Sequence, residues 1–160
     1  MLQAAVIDGL AFARTAGELK GRLGMEALPR LGQSGCLDAV LDFVLVGEIN
    51  ERGKPGLRLA VNGSVRLRCQ RCLGEVELPL RLEAQLEFAT GDAEVLAADD
   101  DIDRVVASHD MSVAALVEEE VILALPMAPK HGQCRAAAET ERGKEPSAFQ
   151  ALAALKKLNR

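Results

Sequence analysis

Two segments of alternating apolar and polar residues flank a pair of cysteines in the middle of the chain. In residues 57–68 apolar side chains recur at every second position with arginines between them, and residues 78–88 repeat the alternation. A period of two is typical of a β-strand with one buried and one exposed face. Because the short segment around Cys69 and Cys72 separates the two runs, we expect a long antiparallel hairpin with the cysteines at its tip.

The first part of the chain predicts a short strand followed by a helix. Residues 2–13 carry apolar side chains in the manner of a strand. Thr15 is followed three residues later by Glu18, which is the arrangement of a helix N-cap with a capping box. Leu19 and Leu23 then fit one helical face.

Further elements are predicted on both sides of the hairpin. Alternation at residues 37–46 indicates a strand, and the Gly- and Pro-rich residues 50–56 indicate a turn. Residues 102–106 are consistent with a short strand. Residues 111–125 predict a helix that begins at an Asp or Ser cap and ends before a proline, and residues 146–158 predict a short amphipathic helix.

These elements predict one α+β domain over residues 1–160, built on an antiparallel sheet that two or three helices cover. An acidic, small-residue-rich loop is expected at about residues 90–104, and a polar, mobile segment at about residues 135–145.

The composition argues against several function classes. The chain has no Trp, no Tyr and four Phe, so it lacks the aromatic platforms on which many single-strand-binding domains stack bases. No apolar run is long enough to span a bilayer, and no secretory signal pattern is visible, so we expect no membrane partner. Four scattered cysteines do not form a disulfide framework, which favours a reducing, cytoplasmic environment.

Motifs of common catalytic sites are also absent from the sequence. There is no GxGxxG after a strand, no GxxxxGK[ST] and no HExxH, and two histidines leave few arrangements for acid–base catalysis. His109 precedes a predicted helix cap and is interpreted as a surface residue. We therefore expect a protein that is not an enzyme and has no small-molecule substrate.

The cysteine spacing carries the clearest chemical signal. Cys69 and Cys72 form one CxxC pair, and His131 and Cys134 repeat the spacing later in the chain. Four N and S ligands are what tetrahedral Zn²⁺ requires, so the two pairs are candidate halves of one zinc site. Two alternatives stay open for the CxxC pair, namely inert packing thiols and a redox pair. Cys36, which has no partner in sequence, is interpreted as a small buried hydrophobe.

Charge is distributed unevenly along the chain. Around the cysteine pair, residues 57–82 contain five arginines and two glutamates, whereas residues 87–120 contain eleven acids and one arginine. A local basic segment can meet RNA phosphates, and an acidic one suits a basic protein. The candidate RNA-binding residues are Arg58, Arg66, Arg68, Arg71 and Arg81. The candidate protein-binding residues are Glu118, Glu119 and Glu120.

Three segments of the sequence resemble a known family. They are Cys69–Leu73, then Leu116–His131 with its acidic helix running into Leu-Pro-x-x-Pro-x-His, and Pro146–Lys156. These residues are similar to the YceD family, the large ribosomal RNA subunit accumulation protein of bacteria, over the chain from about Cys69 onward. The resemblance carries no catalytic residues, and the family's cysteine pair corresponds to Cys69 and Cys72.

The resemblance implies a role in the synthesis, processing or stability of large-subunit (23S) ribosomal RNA. The leading hypothesis is a ribosome-biogenesis factor that binds pre-ribosomal RNA, a basic large-subunit ribosomal protein, or both. The alternative is a zinc-stapled adaptor that binds only protein and affects the RNA indirectly.

Overall fold

The computed structural model of the protein describes residues 5–97 and 103–134. Seven strands and four α-helices lie in these ranges, with a 3₁₀ turn at Met25–Ala27. In chain order they are β1 (Val6–Ile7), α1 (Gly9–Arg14), β2 (Glu18–Gly24), α2 (Pro29–Gln33), β3 (Cys36–Ile49), β4 (Pro55–Arg68), β5 (Glu75–Ala89), α3 (Asp92–Leu96), β6 (Asp103–Val106), β7 (Met111–Ser112) and α4 (Val113–Ala124).

The main sheet has the strand order β2-β3-β4-β5-β6. Each neighbouring pair is antiparallel except β5 and β6, which run parallel. A small ladder between β1 and β7 joins the start of the described chain to the segment just before α4. The architecture is α+β, as the sequence predicted.

Strands β4 and β5 form the predicted long hairpin. Their register runs without interruption from the pair Gly56 and Glu87 to the pair Arg68 and Glu75. The apolar residues of β4 face the core and are buried, while its arginines are exposed. The turn predicted at residues 50–56 joins β3 to β4, and the backbone N–H of Asn50 donates to the carbonyl of Lys54 there.

Helices pack on one face of the main sheet. α1 contacts β3 and β4, α2 contacts β3, and α4 contacts β4 and β5. α4 begins where Ser112 Oγ accepts a hydrogen bond from the backbone N–H of Ala115. It ends just before Pro126, whose ring and missing N–H cannot continue a helix. The other face of the sheet carries mixed charges and is exposed.

The prediction for the first part of the chain was wrong in two places. The second half of the predicted strand at residues 2–13 is helix α1, because Asp8 Oδ1 accepts from the N–H of Ala11 and caps it. The predicted helix from Thr15 is instead strand β2, which pairs with β3. Leu19 and Leu23 are four residues apart, and this spacing fits a strand face as well as a helix face.

The predicted acidic loop also contains regular structure. Helix α3 lies within residues 90–104, and β6 occupies most of the short strand predicted at 102–106. The predicted polar segment at 135–145 and the predicted helix at 146–158 lie outside the described residues. Among the helices of the described ranges, none is long and apolar enough to cross a membrane.

Candidate metal centre

The turn between β4 and β5 holds the CxxC pair. The backbone N–H of Cys69 donates to the carbonyl of Gly74 at 2.8 Å, and the N–H of Leu73 donates to the carbonyl of Cys69 at 2.9 Å. Leu73 has a φ of 62°, a left-handed conformation that is uncommon for a residue with a side chain. The tight turn holds Cys69 and Cys72 beside each other at the end of the hairpin.

A backbone hydrogen bond brings the second half-site to this turn. The N–H of Gln70 donates to the carbonyl of Pro129 at 2.8 Å, which holds the loop after α4 against the hairpin tip. As a result, the Sγ atoms of Cys69 and Cys134 are 3.7 Å apart, and Cys72 Sγ is 3.4 Å from Nδ1 of His131. The structure thus brings together the four residues that the sequence paired only by spacing.

The geometry of this cluster fits a metal ion. One ligand atom from each of Cys69, Cys72, His131 and Cys134 lies within 4.8 Å of all the others. Zn–S bonds near 2.3 Å would place two sulfurs of a tetrahedral site about 3.8 Å apart. The Sγ atoms of Cys69 and Cys134 are therefore already at the spacing that such a site requires, and the cluster can hold a metal ion.

Hydrogen bonding orients the imidazole of His131. Its Nε2 atom lies 2.8 Å from the carbonyl oxygen of Glu75, the first residue of β5. Because a carbonyl oxygen only accepts, Nε2 is the nitrogen that carries the proton and donates. In the neutral ring, Nδ1 then has its lone pair directed at the cluster, which is the arrangement found for metal-binding histidines with a fixed tautomer.

Arg71 lies between the two half-sites and contacts the second one. Its Nε atom donates to Cys134 Sγ at 3.1 Å, and its Nη2 atom donates to the carbonyl of His131 at 2.9 Å. Three thiolates around a divalent cation leave a net negative charge, which a guanidinium at this position offsets. Arg71 would therefore support a metal ion bound by these four residues.

The thiols differ in how easily they ionise. Burial raises the pKa of Cys69, but the backbone N–H groups of Cys72, Arg71 and His131 lower it more, to about 5. For Cys134, burial again raises the pKa, but the hydrogen bond from Arg71 contributes to a value below the ordinary one. The Gly74 backbone lowers the pKa of Cys72, yet burial and the neighbouring Cys69 and Cys134 raise it overall. Bound metal would relieve this crowding of negative charge.

The five arginines predicted to bind RNA differ in their ion-pair partners. Arg58 is paired with Glu48, and Arg66 is paired with Asp38 at 2.9 Å. Arg68 and Arg81 are exposed, and neither side chain makes a hydrogen bond within the described residues. Of the five, Arg68 and Arg71 lie at the tip.

The predicted acidic protein-binding group needs a correction at Glu118. This side chain is buried, and its Oε1 atom accepts a hydrogen bond from the backbone N–H of Leu31 at 2.9 Å. It therefore caps α2 and is not available to a partner in this fold. Glu119 is exposed, and Glu120 is half-buried with its pKa raised by burial and by Asp103 and Glu119.

The groups that contact the four candidate ligands have little signal in the sequence. Arg71 was assigned to RNA from its charge, and its contact with Cys134 depends on the folded loop. The carbonyls of Glu75 and Pro129 are backbone groups, which have no residue-specific signal. Cys36 is buried apart from the cluster, with its Sγ atom donating to the carbonyl of Asp38, and His109 is exposed, both as predicted.

Comparison with protein families decides the family. The family model described as "Large ribosomal RNA subunit accumulation protein YceD" matches residues 57–159. The chain belongs to the YceD family. The matched range begins in β4 and contains all four residues of the candidate metal-binding cluster.

The match gives this YceD chain a role in the accumulation of large-subunit ribosomal RNA. Neither the curated proteins nor the solved structures include a match to it.

Proposed function

We propose that the chain is a non-enzymatic ribosome-biogenesis factor of the cytoplasm that binds Zn²⁺ and contacts pre-ribosomal RNA at the zinc-held hairpin tip. The observation that carries the proposal is the convergence of Cys69, Cys72, His131 and Cys134 in a chain of this family. The zinc would tie the loop after α4 to the hairpin and so fix the surface that meets the RNA.

The donor set favours zinc in a structural role. Three cysteines and one histidine are a common ligand set of structural zinc sites, and soft thiolate ligands favour Zn²⁺ over Mg²⁺ or Ca²⁺. Four protein ligands leave no coordination position for a substrate or an activated water. This supports a factor that acts by binding.

The tip offers the groups suited to an RNA contact. Arg68 and Lys130 are both exposed, and each lies within two residues of the hydrogen bond between Gln70 and Pro129. Cations held in a fixed loop bind phosphate oxygens without reading the bases. Arg58 and Arg66 would contribute less, because each already has an acidic partner.

The same ion pairs support a second candidate, a zinc-stapled adaptor that binds only protein. With Arg58 and Arg66 paired to acidic residues and a net charge of −5, the chain would then act on the RNA through a basic ribosomal protein. The RNA-binding reading is favoured by the exposed cations at the tip.

Binding to large-subunit RNA fragments over a range of salt concentrations separates the two candidates. The zinc-loaded chain should bind with an affinity that falls steeply as salt rises, and chelation should abolish the binding. In cells, Cys69→Ser should lower mature large-subunit RNA relative to small-subunit RNA, whereas Cys36→Ala should not. Lowered RNA in cells without measurable RNA binding would favour the adaptor, and unchanged RNA in cells would reject both.

A further inference from the structure

We infer that the open edge of β5, between Glu77 and Gln85, is a docking site for an extended basic segment of a partner protein. The segment would pair with β5 as an added strand. The site lies on the same strand as the metal-held tip but uses none of the metal ligands.

The hydrogen-bond pattern shows which backbone groups lie on this edge. The N–H of Cys69 donates to the carbonyl of Gly74, so these two residues form a hydrogen-bonded pair at the tip of the hairpin. In an antiparallel ladder such pairs alternate with pairs that exchange no hydrogen bonds, so every second pair of β4 and β5 residues, counted from Cys69 and Gly74, is hydrogen-bonded. The even-numbered residues of β5 are thereby bonded to β4, and the odd-numbered ones direct their N–H and C=O groups away from it.

Only the two ends of this edge are occupied within the described residues. β6 pairs with Leu86–Ala89 at one end, and at the other end His131 Nε2 donates a hydrogen bond to the carbonyl of Glu75. Between them the N–H groups of Glu77, Arg81, Glu83 and Gln85 have no strand beside them in the described chain. Pro79, which has no N–H, lies at an odd-numbered position, as expected of a proline in an edge strand.

The inner face of this stretch also lacks full cover. Leu78, Leu80 and Leu82 are half-buried, whereas Val65 and Val61, which lie opposite Leu78 and Leu82 on β4, are fully buried. An added strand with apolar side chains at alternate positions would extend the sheet and cover these leucines. Strand addition of this kind combines backbone hydrogen bonds with pockets for alternate side chains.

Charge decides which partner fits. Along the edge Glu77 and Glu83 are exposed, with Arg81 between them. Beyond its end lies Asp103, which is paired with Leu86 and is near enough to Glu120 to raise the pKa of that carboxyl. This acidic margin complements lysines and arginines and repels RNA. Like charges would also oppose antiparallel pairing with a second copy in the register that sets Glu77 opposite Glu83.

This inference does not depend on zinc or on the RNA contact proposed above. If the tip fails to bind RNA, the edge can still bind a basic segment. If the edge fails to bind one, the RNA contact is unaffected. The two experiments use different probes, so each proposal can fail alone.

The test uses a peptide of alternating lysine and valine, about eight residues long, which matches the span of the open edge. A peptide of alternating glutamate and valine is the matched control. We expect the lysine peptide alone to bind the full chain and to slow hydrogen exchange at the N–H groups of Glu77, Arg81, Glu83 and Gln85. The N–H groups of Leu78, Leu80 and Leu82 should exchange slowly with or without the peptide, because they bond to β4.

Two sets of variants probe backbone pairing and charge separately. Glu83→Pro removes one edge N–H without removing a bond to β4, and it should weaken binding about tenfold more than Glu83→Ala does. If Glu83→Pro does not fold, the charge reversal Glu77→Lys with Glu83→Lys replaces it. That variant should weaken binding at least as much, whereas Glu26→Lys, an exposed glutamate beyond β2 at the opposite edge, should not.

Three results would overturn the inference. One is slow exchange of the edge N–H groups in the free chain, which would mean that the chain's own residues or a second copy already cover the edge. Another is equal binding of the lysine and glutamate peptides. The third is lysine-peptide binding that Glu83→Pro and the charge reversal leave unchanged.

Discussion

The Sγ atoms of Cys69 and Cys134 lie 3.7 Å apart, although the two residues are 65 positions apart in the sequence. This distance is close to the roughly 3.8 Å that separates two sulfurs on one tetrahedral Zn²⁺. The hairpin tip and the loop after α4 are therefore arranged to share one ion, and the position of that loop should depend on it.

Arg71 should contribute to metal affinity more than to RNA binding. Replacing Arg71 with Ala removes the hydrogen bonds to Cys134 and His131, and we expect the affinity for Zn²⁺ to fall about 10–100-fold. Competition with a chromophoric chelator measures it. Arg81→Ala is the control, since Arg81 is exposed on β5 away from the tip. Equal affinities of the two variants would show that Arg71 does not support the site.

Arg68 and Lys130 should account for much of the salt dependence of RNA binding. The slope of log affinity against log salt should become shallower by about 1 in Arg68→Glu and again in Lys130→Glu, because each variant loses one phosphate contact. The same titration on Arg58→Ala should give nearly the wild-type slope, since Arg58 is already paired with Glu48. A normal slope in both tip variants, with zinc still bound, would exclude the tip as the RNA contact.

Glu118 should matter for stability. Glu118→Ala leaves the buried N–H of Leu31 without its acceptor, and the free energy of unfolding should fall by about 1–3 kcal/mol. Glu119→Ala, at the exposed neighbouring position, should change it by less than about 0.5 kcal/mol. Urea unfolding measures both. Similar values for the two variants would contradict the capping role of Glu118.

His109 should titrate above its usual range. The hydrogen bond to Asp8 at 2.6 Å raises the pKa of His109, so the protonated form is favoured in the folded chain. The resulting stabilisation is present below the ordinary pKa of about 6.5 and is lost as pH rises through the folded value. Asp8→Asn, which can still cap α1, should move the NMR titration midpoint of His109 downward. An unchanged midpoint would contradict the pairing.

The sequence predicted those elements whose hydrophobic period and whose length both indicate the same type of secondary structure. β4 and β5 alternate over many residues, and α4 has a clear cap and a terminating proline, so each has one plausible interpretation. The prediction for the region from Thr15 to Leu28 was wrong because the spacing of Leu19 and Leu23 fits both the helical period of 3.6 and the strand period of 2. Pairing with β3, a tertiary contact, makes this region a strand.

The four candidate ligands of the site could be predicted from the sequence, but the side chains that contact them could not. Spacing alone identified Cys69, Cys72, His131 and Cys134, because zinc ligands occur in such closely spaced pairs. Charge alone could not separate Arg71, which contacts Cys134, from Arg68, which is exposed. It also could not show that Glu118 points inward while Glu119 points to solvent, since adjacent helical residues differ in direction by about 100°.

Metal analysis of the full chain, purified without chelators, tests the central claim most directly. Native mass spectrometry should find one Zn²⁺ per chain in the wild type and in Cys36→Ala, and none in Cys134→Ser. A folded wild-type chain that carries no zinc and takes up none from solution would contradict the account.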